Sequence, residues 1–146
     1  MSNGSCLCES VSFSVAVTQT KLYQCFCSLC RKATGTQSNA AFIVADKHFT
    51  WNSETSFISS YQKATGFRSD FCSKCGSPVP NILRNRPYYW VPAGLMEHGF
   101  QASFTKQIFI ADLAEWTVTS TSKHFTMPIM DDFIDELASS DNEAGN

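Results

Sequence analysis

The sequence predicts a mainly β domain, and three observations carry that reading. Residues 10–17 alternate, with Val11, Phe13, Val15 and Val17 on one side and Ser10, Ser12, Ser14 and Ala16 on the other, the period of a half-buried strand. Phenylalanine (12) outnumbers leucine (7), and serine and threonine together reach 31, a balance that favours strands and turns. Helix signals are sparse. Further short strands are expected over residues 21–25, 39–45, 48–51, 56–61, 67–71, 88–91 and 107–111, each bounded by turn residues, and such spacing points to antiparallel sheets. A short helical turn fits residues 28–34. A second short helix fits residues 131–138, where acidic side chains occupy the first turn and Phe133, Ile134 and Leu137 recur at helical spacing.

Length and composition bound the class. A chain of 146 residues suits one domain with a core of its own, and 43% apolar against 16% charged residues is too hydrophobic for disorder. The longest apolar run, residues 40–45, is far too short for a membrane-spanning helix. Residues 1–6 carry neither a basic region nor an apolar stretch, so a soluble cytoplasmic protein is expected, with no membrane partner. Six acidic and no basic residues fall in 131–146, which leaves residues 1–130 with eleven basic and seven acidic groups, a net +4. That body is too weakly basic for a nucleic-acid surface but can steer a small anion. The expected organisation is a domain over 1–130 followed by a short acidic helix and tail over 131–146. Sheet edges in so small a β domain can also pair, so a homodimer is possible.

Seven cysteines in a chain with no export signal point to metal ligands or reactive thiols. They form three clusters: Cys6 and Cys8; Cys25, Cys27 and Cys30; Cys72 and Cys75. Zinc takes four tetrahedral ligands, usually as two short-range pairs from distant parts of a chain, and a Cys-x-x-Cys turn with a following glycine, here Gly76, supplies one such pair. An economical partition places Cys6, Cys8, Cys72 and Cys75 on one closed site and leaves Cys25, Cys27 and Cys30 as an open one. Spacing alone also allows the middle cluster to share ligands with an outer pair.

At these clusters the sequence resembles the glutathione-dependent formaldehyde-activating (GFA) family, which also includes centromere protein V. The matching segments are Gly4-Ser5-Cys6-Leu7-Cys8 with the strand after it, Cys25 to Lys32 followed by Gly35, Phe71 to Ser77, and Val91-Pro92-Ala93-Gly94-Leu95. Two positions depart from the pattern: Glu9 stands where glycine is usual, and Phe26 where histidine is common. The resemblance covers about residues 4–130. It implies a β-tent fold of small antiparallel sheets pinned by zinc, with a structural zinc on Cys6, Cys8, Cys72 and Cys75 and a second on Cys25, Cys27 and Cys30. It implies a carbon–sulfur lyase that reversibly adds glutathione to formaldehyde, giving S-hydroxymethylglutathione.

The chemistry of the residues agrees with that activity. A free thiol is only a few per cent ionised at neutral pH, and an open metal position would deprotonate it beside a carbonyl. Three thiolate ligands weaken a Lewis acid, so the site suits carriage of a thiol better than activation of water. Glutathione brings two carboxylates, for which Arg31 and Lys32 are the nearest cations in sequence; Arg68, Arg84 and Arg86 are weaker candidates. Tyr88-Tyr89-Trp90 is expected in the core more than in a pocket wall. His48, His98 and His124 lack ligand spacing from any cysteine cluster, and His98 is the first to test as a fourth ligand or base. The alternative reading is a zinc-scaffolded binding module or thiol carrier without formaldehyde chemistry.

Overall fold

The computed structural model describes residues 1–17 and 19–117 of the chain. The expected helix over 131–138, the acidic tail and His124 lie outside the described residues. Among the described residues, eleven strands form three small sheets. The first sheet holds β1 (Ser2–Ser5), β2 (Ser12–Val15) and β5 (Phe49–Trp51) in the order β1-β2-β5. The second, five-stranded, has the order β11-β3-β4-β10-β9, built from β3 (Thr20–Cys25), β4 (Asn39–Ala45), β9 (Asn81–Ile82), β10 (Tyr88–Pro92) and β11 (Ala102–Ile108). The third is β6 (Ile58–Gln62), β7 (Arg68–Cys72) and β8 (Pro78–Val79). The one α-helix among the described residues, α1 (Ser28–Thr34), covers the span the sequence predicts.

The strand pattern of residues 10–17 is realised in β2. Val11, Phe13 and Val15 are fully buried, and they face two different partners. Phe13 and Val15 join Leu22, Phe42, Val44, Phe49 and Val91 in the main core between the first and second sheets. Val11 joins Cys6, Cys72 and Val79 in a smaller core between the first and third sheets. Ser14, expected to face outwards, is buried as well, and its hydroxyl donates to Asn52 Oδ1 at 3.2 Å. A buried hydroxyl needs such a partner, since desolvating it alone would be unfavourable.

Two expectations are corrected. Among the described residues all the ladders are antiparallel except one, because β11 lies parallel to β3 with a bulge between Phe104 and Lys106. Parallel neighbours require a long crossover, and here the chain between them builds most of the other strands before it returns. The strand expected over 107–111 starts earlier and stops at Ile108. Phe109 takes a left-handed conformation (φ 56°) that breaks the strand, and Ile110–Asp112 curl into a 3₁₀ turn. The short strands β1, β8 and β9 carry too few residues to show a period, and only their partners define them. No helix among the described residues is long and apolar enough to cross a membrane.

Candidate metal centres

Two backbone knuckles bring Cys6, Cys8, Cys72 and Cys75 together, with all four Sγ atoms within 4.8 Å of one another. The first knuckle leaves β1. The Cys6 N–H donates to the Val11 carbonyl at 2.9 Å, the Glu9 N–H returns to the Cys6 carbonyl at 2.9 Å, and the Val11 N–H reaches Cys6 Sγ at 3.3 Å. The second follows β7. The Cys72 N–H donates to the Ser77 carbonyl at 2.9 Å, and the Gly76 N–H to the Cys72 carbonyl at 2.7 Å. Gly76 has φ 78°, which a residue without Cβ adopts freely, whereas Glu9 makes the equivalent reversal at φ 62° with a full side chain. The Leu7 N–H ties one knuckle to the other through Ser77 Oγ at 3.1 Å.

The sulfur spacing fits a tetrahedral metal. Cys6 and Cys8 Sγ are 3.7 Å apart, and Cys8 and Cys72 Sγ 3.8 Å. Zinc–sulfur bonds of about 2.3 Å give a tetrahedron whose edge is about 3.8 Å. The four thiols are otherwise unequal. Burial pushes Cys6 up to about 11, while hydrogen bonding to the Ser77 side chain and backbone holds Cys75 down at about 5.

Cys25, Cys27 and Cys30 form a second group, again within 4.8 Å of one another. Cys25 ends β3, where it is paired with Asn39 of β4 and Ile108 of β11. Cys27 caps the N-terminus of α1, its Sγ accepting the Cys30 N–H at 3.3 Å, and Gly35 closes the other end at φ 66°. The Cys-x-Cys-x-x-Cys spacing is therefore a strand end, a cap and a first helical turn. Burial raises Cys25 and Cys30. It acts on Cys27 as well, but hydrogen bonds from the Cys30 backbone and side chain outweigh it and hold that thiol below its ordinary range. The most ionisable sulfur of the group is thus the helix cap.

Beside this group lies a cavity of about 250 Å³, lined by Cys30 and by residues distant from it in sequence, among them Phe67, Arg68, Arg84 and Trp90, together with Tyr23. Arg68 forks onto Asp70 through two hydrogen bonds of 2.8 Å. Asp70 is buried, so the pair is close to neutral as seen from the cavity. The Tyr23 phenol is half-buried and pushed up to about 12, by burial first, so it stays protonated at neutral pH.

The family model described as glutathione-dependent formaldehyde-activating enzyme matches residues 1–112, a span that includes both cysteine groups and the cavity. The chain belongs to this family. The crystal structure of a Rhodobacter sphaeroides protein shares the fold, with a TM-score of 0.53 and 22% identity over 70% of this chain and 99% of that one. No curated protein matches the chain.

In this GFA chain, the described residues group Cys6, Cys8, Cys72 and Cys75 together and Cys25, Cys27 and Cys30 apart from them, each group able to hold a metal ion. Phe26 turns away from the cavity. It is buried and lines a separate groove with Gln24, Gln107, Ile110 and Leu113, so the residue in the family's histidine position packs under the 3₁₀ turn after β11. Arg31 and Lys32 sit in the last turn of α1, outside the cavity wall; Arg31 is half-buried with its Nε lacking a hydrogen-bond partner. His48 and His98 are exposed, and neither joins a metal-capable group among the described residues. In β10 the aromatic run splits by strand alternation. Tyr89 stacks on Phe49 with ring centroids 3.9 Å apart, while Trp90 faces the cavity. The run, expected in the core more than in a pocket wall, is divided by period-2 alternation, with Tyr89 in the core and Trp90 on the wall.

Proposed function

We propose that the protein is a zinc-dependent carbon–sulfur lyase of the GFA type, adding a thiol such as glutathione to formaldehyde or a related carbonyl compound. The observation that carries this reading is the division of the cysteines. Four converge at tetrahedral spacing beside a small core that takes in Cys6 and Cys72, and three converge at the edge of a cavity with no fourth metal-binding side chain among the described residues. The first arrangement is that of a closed structural zinc, and the second leaves a ligand position for substrate. Zinc held there supplies a centre that favours the thiolate form of a bound thiol beside a carbonyl.

The residues of the chain then have separate tasks. Cys25, Cys27 and Cys30 hold the metal, positioned by the end of β3 and the first turn of α1. Arg31 and Lys32, in the last turn of α1, receive the carboxylates of glutathione. Proximity at the cavity mouth makes a bimolecular addition effectively intramolecular.

Zinc per chain, measured by elemental analysis after gel filtration, tests the reading together with turnover of Cys27→Ser. Serine is as good a helix cap as a thiol, so this variant keeps α1 while losing a ligand. The expected result is the loss of the second zinc and of thiol-dependent turnover, with the fold intact. Unchanged turnover would overturn it.

A further inference from the structure

We propose that the cavity beside Cys30 holds the carbonyl reactant, and that this reactant is an aldehyde with an apolar body and a single carboxylate, larger than formaldehyde. The inference rests on thiol addition at the three-cysteine group.

Size comes first. The cavity encloses about 250 Å³. Formaldehyde has two heavy atoms and needs little more than one water's share of liquid, about 30 Å³. Phe67, Ile82, Leu83, Trp90 and Ile108 give the cavity a largely apolar wall, which would be idle against so small and polar a molecule.

Charge narrows the class. Of the two arginines on the wall, Arg68 is committed to Asp70. Arg84 makes only a long contact, 3.5 Å from Nη1 to the Thr65 carbonyl. Its guanidinium therefore supplies the cavity's uncompensated positive charge. Glutathione, with two carboxylates and an ammonium group, would press polar groups against the apolar wall without partners.

The backbone shows that Arg84 is placed at a conformational cost. Arg84 and Asn85 have φ of 48° and 57°, and the Arg86 N–H returns to the Leu83 carbonyl at 2.9 Å, which makes a type I′ turn between β9 and β10. Such turns favour glycine, asparagine or aspartate at both central positions, so an arginine at the first is strained where glycine would not be. The side chain then lies across Gly66, where an added Cβ would come within 2.9 Å of Nη1. An arginine at 84 and no side chain at 66 together put one cation at the cavity.

The reaction balances without a redox partner. The thiol sulfur bonds to the aldehyde carbon, the carbonyl π pair moves to oxygen, and the proton released by the thiol ends on that oxygen. Cys30 marks the end of the cavity wall that meets the metal-binding group, and Arg84 the position of the carboxylate.

The test titrates the full-length zinc-loaded protein with 4-carboxybenzaldehyde, benzaldehyde and formaldehyde, following binding by calorimetry and glutathione adduct formation by absorbance. The carboxylated aldehyde should bind roughly tenfold more tightly than benzaldehyde, as a charge-assisted hydrogen bond allows. Arg84→Gly should erase that preference while raising the melting temperature, a split that loss of folding cannot produce, and Arg84→Gln should erase it as well. Equal binding of the two aromatic aldehydes, or a preference that survives both variants, would overturn the proposal. Preferred binding without faster adduct formation would uphold the cavity's ligand class and overturn thiol addition. Faster formaldehyde addition without binding of 4-carboxybenzaldehyde would do the reverse.

Discussion

The Sγ atoms of Cys8 and Cys72 lie 3.8 Å apart although 64 residues separate them in the chain. One leaves the first sheet and the other ends β7 of the third, so this pair sits where two sheets share a small core with Val11 and Val79. That core holds few apolar side chains. A metal bridging the four sulfurs would do there what a larger hydrophobic contact does between the first and second sheets.

The first prediction concerns that bridge. Cys72→Ser removes a fully buried ligand and leaves three thiols around the ion. It should lose one zinc per chain and destabilise the protein by on the order of 5 kcal/mol, lowering the melting temperature by more than about 10 °C. Calorimetry alongside zinc analysis checks both. A loss of metal without a loss of stability would show that the third sheet docks unaided.

Acidification should release this zinc, with a sign set by proton competition. Metal binding must displace the proton of Cys6, whose pKa burial pushes up to about 11, so affinity falls with each step down in pH through the neutral range. Cys75, held at about 5, is already a thiolate at neutral pH and adds its own proton competition only below about that value. Zinc retention against pH, read with a chromophoric chelator, should therefore steepen near pH 5.

Gly4 is required by a neighbour on the next strand. It is paired with Phe13, and a Cβ at position 4 would stand 2.5 Å from Phe13 Cζ. Phe13 is fully buried and stacks on Phe49 with centroids 5.4 Å apart, so it has little room to move. Gly4→Ala should cost about 1–3 kcal/mol of stability, measured by urea unfolding. A neutral result would mean that the Phe13 ring relaxes freely.

Glu9 holds a left-handed backbone at φ 62° in the first cysteine knuckle. A side chain there costs roughly 1–2 kcal/mol, part of which glycine returns through the unfolded chain's greater freedom. Glu9→Gly should stabilise the protein by roughly 1 kcal/mol with zinc content unchanged, as a shift in denaturant midpoint would show. Destabilisation would assign the Glu9 side chain a role that its backbone does not explain.

The sequence by itself determined the parts whose signal is local. The period of β2, the span of β4, the span of α1 and the pairing of cysteines within each cluster follow from spacing, motif and turn chemistry within a few residues, while spacing alone leaves open the joining of Cys6 and Cys8 to Cys72 and Cys75. Tertiary structure alone decided what depends on returning chain segments. The parallel seat of β11 beside β3 has no pattern of its own, because that strand is almost entirely exposed and shows no buried face. The cavity is assembled from residues that no motif connects. Arg31 and Lys32 adjoin the cysteines in sequence, yet Arg84 reaches the cavity and they do not, because a helical turn carries neighbours to different faces while a hairpin turn brings a distant cation back. Whether an arginine is committed to a carboxylate, as Arg68 is to Asp70, or left to a ligand is settled by packing, which charge counting along a chain does not contain.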